Sequence, residues 1–337
     1  PVLLWIRDGN ATIEDAGSLW GLDTVETEAE IRRQLDDPGV KVACIGPAGE
    51  RLVPYAAIQA TTNRSFGRAG LGAVMGAKNL KAIAARGTAR VPIAVPDAFA
   101  ALAKNMHQRI RDNEFFPGIA RHGTSGLVPI VNEVGRFPTR NFQLGAYDKA
   151  DQIDGEALRR KGYWTKDDGC YACPIRCDKE YRIQDGEFAG TVTSSLEYET
   201  LNAFGAGVDN DNLASIVAAN ERCDRLGLDT ISTGRAISFA MELYENGLLT
   251  EADTGGIALR WGDYRLVLDL IEQIARREGL GELLSLGVKR AAEQLGGDAK
   301  RYAMEVKGME IPAQDGRAQQ SMGLAHITSS RGADHLK

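Results

Sequence analysis

Three cysteines crowd into eight residues of the run DDGCYACPIRCDKEY, at Cys170, Cys173 and Cys177. Two thiolates separated by two residues on a tight turn can reach one metal centre, because the turn brings both sulfurs to one side. A third, beyond a three-residue gap, closes another face of a tetrahedron or cube. Soft thiolates select zinc or iron–sulfur over magnesium or calcium. Zinc and three plain thiols sharing a loop are the alternatives, and no histidine sits at ligand spacing beside the run. A 4Fe-4S cube takes a fourth ligand, and the two other cysteines suit it poorly. Cys44 lies in the apolar stretch VACIG and Cys223 within an apolar helical face, so both read as buried hydrophobes. Five cysteines, an odd number in a long chain, point to a reducing cytoplasm and not to a disulfide framework.

The 337 residues suffice for about two domains at roughly 150 residues each. A net charge of −6 builds no basic face, which argues against a nucleic-acid partner. No run approaches the ~18 apolar residues of a membrane span. The chain opens on Pro1 and closes on RGADHLK, which reads as an internal piece of a longer polypeptide.

Turn chemistry and periodicity divide the chain. A short helix is expected about Thr27–Leu35, then an extended stretch VKVACIG and a glycine-rich region from Gly67 to Gly87. Pro92 and Pro96 mark a boundary. Beyond it helical spacing dominates. Asp97 is the expected cap of a helix, Asn212–Leu226 is amphipathic, and Ser232 or Thr233 would cap the next helix, which stops at Asn246-Gly247. Helices over about Tyr264–Arg277 and Leu280–Leu295 follow, and Tyr302–Pro312 reads as a strand. The class is therefore α+β.

The segment NRSFGRAGLGAVMGAKNLKAIAARG sets Arg64, Arg68, Lys78 and Lys81 among Gly67, Gly70, Gly72 and Gly76. Glycines let backbone amides approach a phosphate, and arginine forks grip its oxygens in pairs. The run is neither a Walker loop nor a dinucleotide fingerprint.

IGPAGE (45–50), GRAGLGAVMGAKNLKAI (67–83), FPTRNF (137–142), CYACPIRC (170–177), EYET (197–200), DRLGLDTISTG (224–234) and RGADHL (331–336) occur in one order. Together they resemble the aldehyde ferredoxin oxidoreductase family of tungsten-dependent pterin enzymes, over essentially the whole chain. The resemblance implies the C-terminal part of a β-rich pterin-binding domain at 1–92. It implies a helical middle domain at 93–303 and the beginning of a third domain at 304–337.

It also implies tungsten (or molybdenum) held by two molybdopterins, with Mg2+ shared by their phosphates and a 4Fe-4S cluster nearby. Arg64, Ser65, Gly67 and Arg68 fall where the family contacts pterin and phosphate, and a carbonyl near Ser65 would face the magnesium. Asp224, Leu228 and Asp229 match the first of two D-x-x-G-L-C or D-x-x-G-L-D motifs that bond a pterin, whose edge offers paired N–H donors to a carboxylate. Cys170, Cys173 and Cys177 match three cluster ligands, and the fourth, with the second motif, is expected beyond Lys337.

The implied reaction oxidises an aldehyde to an acid and passes electrons singly to ferredoxin. Glu199, or else Glu197, is the expected base and His335 the carbonyl-polarising donor, while His107, His122 and His326 read as solvated. Gln314 stands where many members carry a tyrosine, which leaves the substrate open. Reduction of an aromatic acyl-CoA thioester by the same cofactors is the second reading, and a non-enzymatic iron–sulfur or zinc module the third. A homodimer is compatible with the resemblance.

Overall fold

The computed structural model describes residues 1–60 and 64–336. Helix accounts for 45% and strand for 14%, the α+β class expected. The first sheet contains β1 (Val2–Arg7), β2 (Asn10–Asp15), β3 (Lys41–Cys44), β4 (Gln59–Ala60), β5 (Arg64–Ser65) and β6 (Leu80–Arg86). Their order is β2-β1-β6-β3-β4-β5, with β1 and β6 parallel and the other neighbours antiparallel. Asp8 and Gly9, both at positive φ, make the β1–β2 turn, as two-residue hairpins require. Leu3, Val42, Cys44, Ala82 and Ala84 bury one face of this sheet against Ile31 of the helix Thr24–Gln34. That helix starts ahead of the expected Thr27 because Asp23 and Glu26 form a reciprocal capping box.

The larger core gathers the helices Leu213–Leu226, Thr230–Glu245 and Tyr264–Arg276, with Cys223 fully buried among them. Asn212 and Asp263 cap the first and third of these through their side chains. The second is capped by Asp229, not by Ser232 or Thr233. The helix Pro96–Arg111 starts on its proline without a side-chain cap, so Asp97 lies inside it. The stretch expected as Leu280–Leu295 is two helices, Leu280–Leu284 and Val288–Leu295. Between them Gly287 takes φ +78°, and the buried Glu310 accepts the Val288 amide at 3.0 Å. A distant carboxylate thus caps the second piece.

Two small sheets complete the molecule. β7 (Trp164–Asp168), β8 (Asp178–Arg182) and β9 (Val192–Ser194) form an antiparallel set in which Asp168 pairs with Asp178 across the cysteine loop. β10 (Glu305–Val306) and β11 (Met309–Glu310) make a hairpin where one strand was expected, because Lys307 and Gly308 both turn at positive φ. Among the described residues no helix is long and apolar enough to cross a membrane.

Candidate functional site

The run DRLGLD is three structural devices in six residues. Asp224 closes the helix Leu213–Leu226, Gly227 ends it in the left-handed region at φ +74°, and Asp229 caps the helix that follows. A side chain on Gly227 would put its Cβ 2.9 Å from the Gly46 nitrogen, and one on Gly46 would meet the Leu226 oxygen at 2.4 Å. The backbone from the first sheet and the backbone of the helical layer therefore touch directly. Ala57 N donates to Gly227 O at 2.8 Å and Asp229 N to Tyr55 O at 3.2 Å, while Ala56 and Leu228 form an isolated bridge. This seam fixes the separation of the two layers.

Beside the seam opens a cavity of about 540 Å³. Its walls include Arg64, Ser65, Gly67 and Arg68 from the first layer, and Asp224, Leu228 and Asp229 from the second. Glu197, Glu199 and His335 complete it. Ten residues singled out in the sequence thus share one space. The three cysteines do not line it.

Their chemistry divides sharply. Arg68 is nearly buried and its guanidinium is engaged on several sides: Nε to Asp229 Oδ2 at 3.1 Å, Nη1 to Ala333 O at 3.0 Å, and Nη2 to Glu310 O at 2.7 Å. Asp229 is equally committed, accepting also from Ile231 N and the Ser232 hydroxyl. These two side chains hold walls together. Arg64 is half-exposed and clamps the base of the cysteine hairpin, 2.6 Å from Asp178 and 3.8 Å from Asp168. The glycines divide likewise. A Cβ on Gly70, Gly72 or Gly76 would strike the carbonyl oxygen of Pro54, Ala57 or Gly49 at 2.0, 2.5 and 1.9 Å, so these three serve packing. Gly67, at φ +41°, has open space beside it. Lys81 is not a phosphate ligand at all. Its ammonium is fully buried and donates to Leu22 O, Ile45 O and Glu50 Oε1.

Asp224 meets no positive charge in the hydrogen bonds it accepts. Gln59 Nε2 approaches one oxygen at 3.4 Å and Asn220 Nδ2 the other at 3.1 Å, both neutral donors. Burial pushes its carboxyl up to about 8, helped by the negative Glu221 and Asp178. The side-chain oxygen of Gln59 is buried without a partner next to it. An acceptor-rich edge of this kind fits a flat heterocycle with paired N–H donors, as a pterin has. The residues present therefore suit that group, and Arg64 and the open Gly67 supply a cationic, unobstructed rim for its phosphate.

Glu199 and His335 face each other at the other end. Glu199 Oε2 accepts from Ala313 N at 2.7 Å, which leaves Oε1 turned to His335 Nε2 at 3.9 Å and Gln314 Nε2 at 3.5 Å. Glu197 lines the same cavity on the side toward Cys177. It takes a hydrogen bond from the Thr124 hydroxyl, is raised by burial, and pushes up the thiol of Cys177. Between the two glutamates, Tyr198 anchors the helix start by donating to Ala313 O at 2.6 Å. Of the histidines, His326 is buried and not solvated, and His122 pairs with Glu156 at 3.1 Å.

Cys170 is exposed, while Cys173 and Cys177 are half-buried, and all five thiols are free. Burial raises the Cys177 thiol, with smaller contributions from Glu197, Cys173 and Cys170. A bound cation would reverse that shift. Among the described residues no three His, Cys, Asp or Glu side chains are gathered as a metal site. The donor atoms suit iron–sulfur, but their arrangement here is open. Gln59, Asn220, Thr124, Tyr198 and His326 were not singled out as site residues by sequence reasoning. Only Asn220, four residues before Asp224 on one helix face, carried a signal that could have been used.

The comparisons agree on kinship. The family model described as "Aldehyde ferredoxin oxidoreductase, N-terminal domain" matches residues 1–87, and that for "Aldehyde ferredoxin oxidoreductase, domains 2 & 3" matches 101–337. Tungsten-containing aldehyde ferredoxin oxidoreductases of Thermococcus kodakarensis and Pyrococcus furiosus are each 43% identical over the whole chain, which covers 55% of their length. The WOR-like subunit of an aliphatic sulfonate oxidoreductase of Pyrococcus furiosus is 30% identical across 99% of the chain and 56% of its own length. In structure, the active-site complex BamBC of benzoyl coenzyme A reductase with 1,5-dienoyl-CoA aligns at a TM-score of 0.77 and 26% identity. That alignment covers 93% of this chain and 48% of that one. The chain thus spans about half the length of the relatives it matches.

Proposed function

The chain belongs to the aldehyde ferredoxin oxidoreductase family, and from that premise we propose that it oxidises an aldehyde to a carboxylic acid at a tungsten (or molybdenum) bis-pterin centre. The observation that carries this reading is the single cavity shared by Arg64, Gly67, Asp224, Glu199 and His335. Asp224 would bond the pterin edge, and Arg64 with the Gly67 backbone would take its phosphate. A magnesium ion would sit near Ser65. When bound, the metal–pterin group supplies the two-electron acceptor for the aldehyde. The chain supplies the protons' path. Glu199 Oε1, held only by the long contact from Gln314, is the carboxylate oxygen that removes a proton from water or the hydrated aldehyde. His335 Nε2 donates to the carbonyl oxygen and orients it.

Cys170, Cys173 and Cys177 would hold a 4Fe-4S cluster that passes electrons singly to ferredoxin or a ferredoxin-like subunit in the cytoplasm. Glu197, on the cysteine side, is not the base in this scheme. Asp178 supports the arrangement, because it follows Cys177 directly and holds Arg64 at 2.6 Å.

The test is composition before activity. Purified without oxygen, the native protein should contain about four irons and one tungsten or molybdenum, and should release pterin on acid denaturation. Zinc alone, without pterin, would overturn the reading. Likeness to the benzoyl-CoA reductase complex favours thioester reduction as the second reading. Turnover of aromatic acyl-CoA thioesters, with none of aldehydes, would establish it instead.

A further inference from the structure

The four residues Ile311 to Gln314 follow the β10–β11 hairpin and belong to no strand or helix, yet side chains of two helices hold their backbone. Arg235 Nε donates to Ile311 O at 3.0 Å, and the Tyr198 hydroxyl donates to Ala313 O at 2.6 Å. Pro312 between them fixes one torsion. The Ala313 amide in turn donates to Glu199 Oε2 at 2.7 Å, and Gln314 reaches the cavity wall. This short strap therefore decides which oxygen of Glu199 is occupied.

Arg235 is the unusual member of the arrangement. It is fully buried in the helix Thr230–Glu245, with its guanidinium 4.6 Å over the Phe142 ring. Its hydrogen bonds go to neutral oxygens: Ile311 O, and Asn202 Oδ1 from Nη2 at 2.6 Å. Nη1 is buried without a partner. Burial pulls the group down to about 10, so it is still charged at pH 7. A buried cation held by neutral acceptors is less stable than an apolar side chain of similar volume, so packing does not call for arginine here. Its two anchors flank Glu199. Asn202 lies three residues after Glu199 in the helix Tyr198–Phe204, and Ile311 lies two residues before Ala313. A Cβ on Gly234 would meet Ala203 O at 2.6 Å, so the two helices touch beside the point where Arg235 leaves its own.

We propose that Arg235 is a positioning residue for Glu199: by holding Ile311 O it keeps the Ala313 amide on Glu199 Oε2 and leaves Oε1 as the oxygen that faces His335. This rests on the reading of Glu199 as the base. An N–H donor favours the ionised carboxylate, so the strap also keeps that base ready to accept a proton. The titratable groups facing Glu199 are Tyr198 beside it, Arg235 of the neighbouring helix, and His335 and His326 of the tail.

Hydrogen exchange at the Ala313 amide, read by mass spectrometry on the native protein, tests this without turnover. Arg235→Met should speed that exchange about a hundredfold, because the strap then opens locally, while the amides of the helix Leu213–Leu226 stay within about twofold. Arg235→Lys, which keeps a cationic donor for Ile311 O, should restore most of the protection. Should the methionine variant not fold, Asn202→Ala removes the guanidinium's other anchor and should give about a tenfold change. Unchanged Ala313 exchange in the folded variant overturns the proposal. In the native enzyme, Arg235→Met should move the acid limb of kcat/KM upward by about one pH unit, and Arg235→Lys should move it back. A profile lowered in height with its limb in place would make Arg235 a packing residue and overturn the proposal as well. A native enzyme without aldehyde turnover defeats the reading of Glu199 as the base, whereas exchange at Ala313 still decides whether Arg235 holds the strap.

Discussion

The two halves of the candidate centre are built in opposite ways. Arg68 is committed on three sides: one guanidinium joins the capping Asp229, the hairpin residue Glu310 and the tail residue Ala333. Around the cysteines little is fixed. Cys170 is exposed, Tyr171 wholly so, and Ala172 and Arg176 take positive φ without being glycine. The cavity wall is shaped by the chain's own packing, whereas the loop carries two non-glycine residues in the left-handed region, a strain that a bound ligand would offset. Metal binding is then part of the folding free energy on one side and not on the other.

The sharpest way to break that contrast is at the seam. Gly227→Val would force a β-branched residue into the left-handed region and against the Gly46 nitrogen, for a loss of about 4 kcal/mol or more. Urea unfolding should show it, and a melt close to that of the unaltered protein would mean the layers are not in contact there. Arg68→Ala comes next, at about 3–4 kcal/mol, because it strands Asp229 and two carbonyls in a buried place. Its loss should appear in the metal-free protein as well. A protein destabilised only when loaded would show the node to be a ligand site after all.

Asp224→Asn should act in the other direction. The ordinary carboxyl value is 3.8 and the folded one about 8, so ionisation opposes folding. That penalty begins as pH rises past 3.8 and is complete above about 8. The variant should gain about 1–2 kcal/mol at pH 8 and little at pH 4, while losing pterin. Urea titrations at both values would measure it. Cys170→Ser should leave the metal-free melt within ~0.5 kcal/mol yet reduce retained iron, which separates the loop from the wall most cleanly.

How much of this was readable beforehand depends on distance along the chain. The helices Leu213–Leu226 and Tyr264–Arg276 were legible because Asn212, Asp263 and the apolar spacing act within a few residues. The burial of Cys44 and Cys223 followed from their apolar neighbours. The role of Lys81 was not legible because its three partners lie 31 to 59 residues away. The packing role of the glycines at 70, 72 and 76 was hidden for the same reason: the carbonyls they touch belong to another segment. The break at Gly287 answers to Glu310, which has no local signature. Motif order brought ten residues to one cavity, but spacing could not tell which of them were already occupied in holding it.

Asp178 carries the last consequence. One of its oxygens holds Arg64 and the other accepts the Ser195 amide at 2.6 Å, and it is joined by a single peptide bond to Cys177. Drawing the sulfurs inward must therefore tug a cavity residue with them. A ligand drawn to the cysteines and one bound in the cavity would thus be coupled through this single residue.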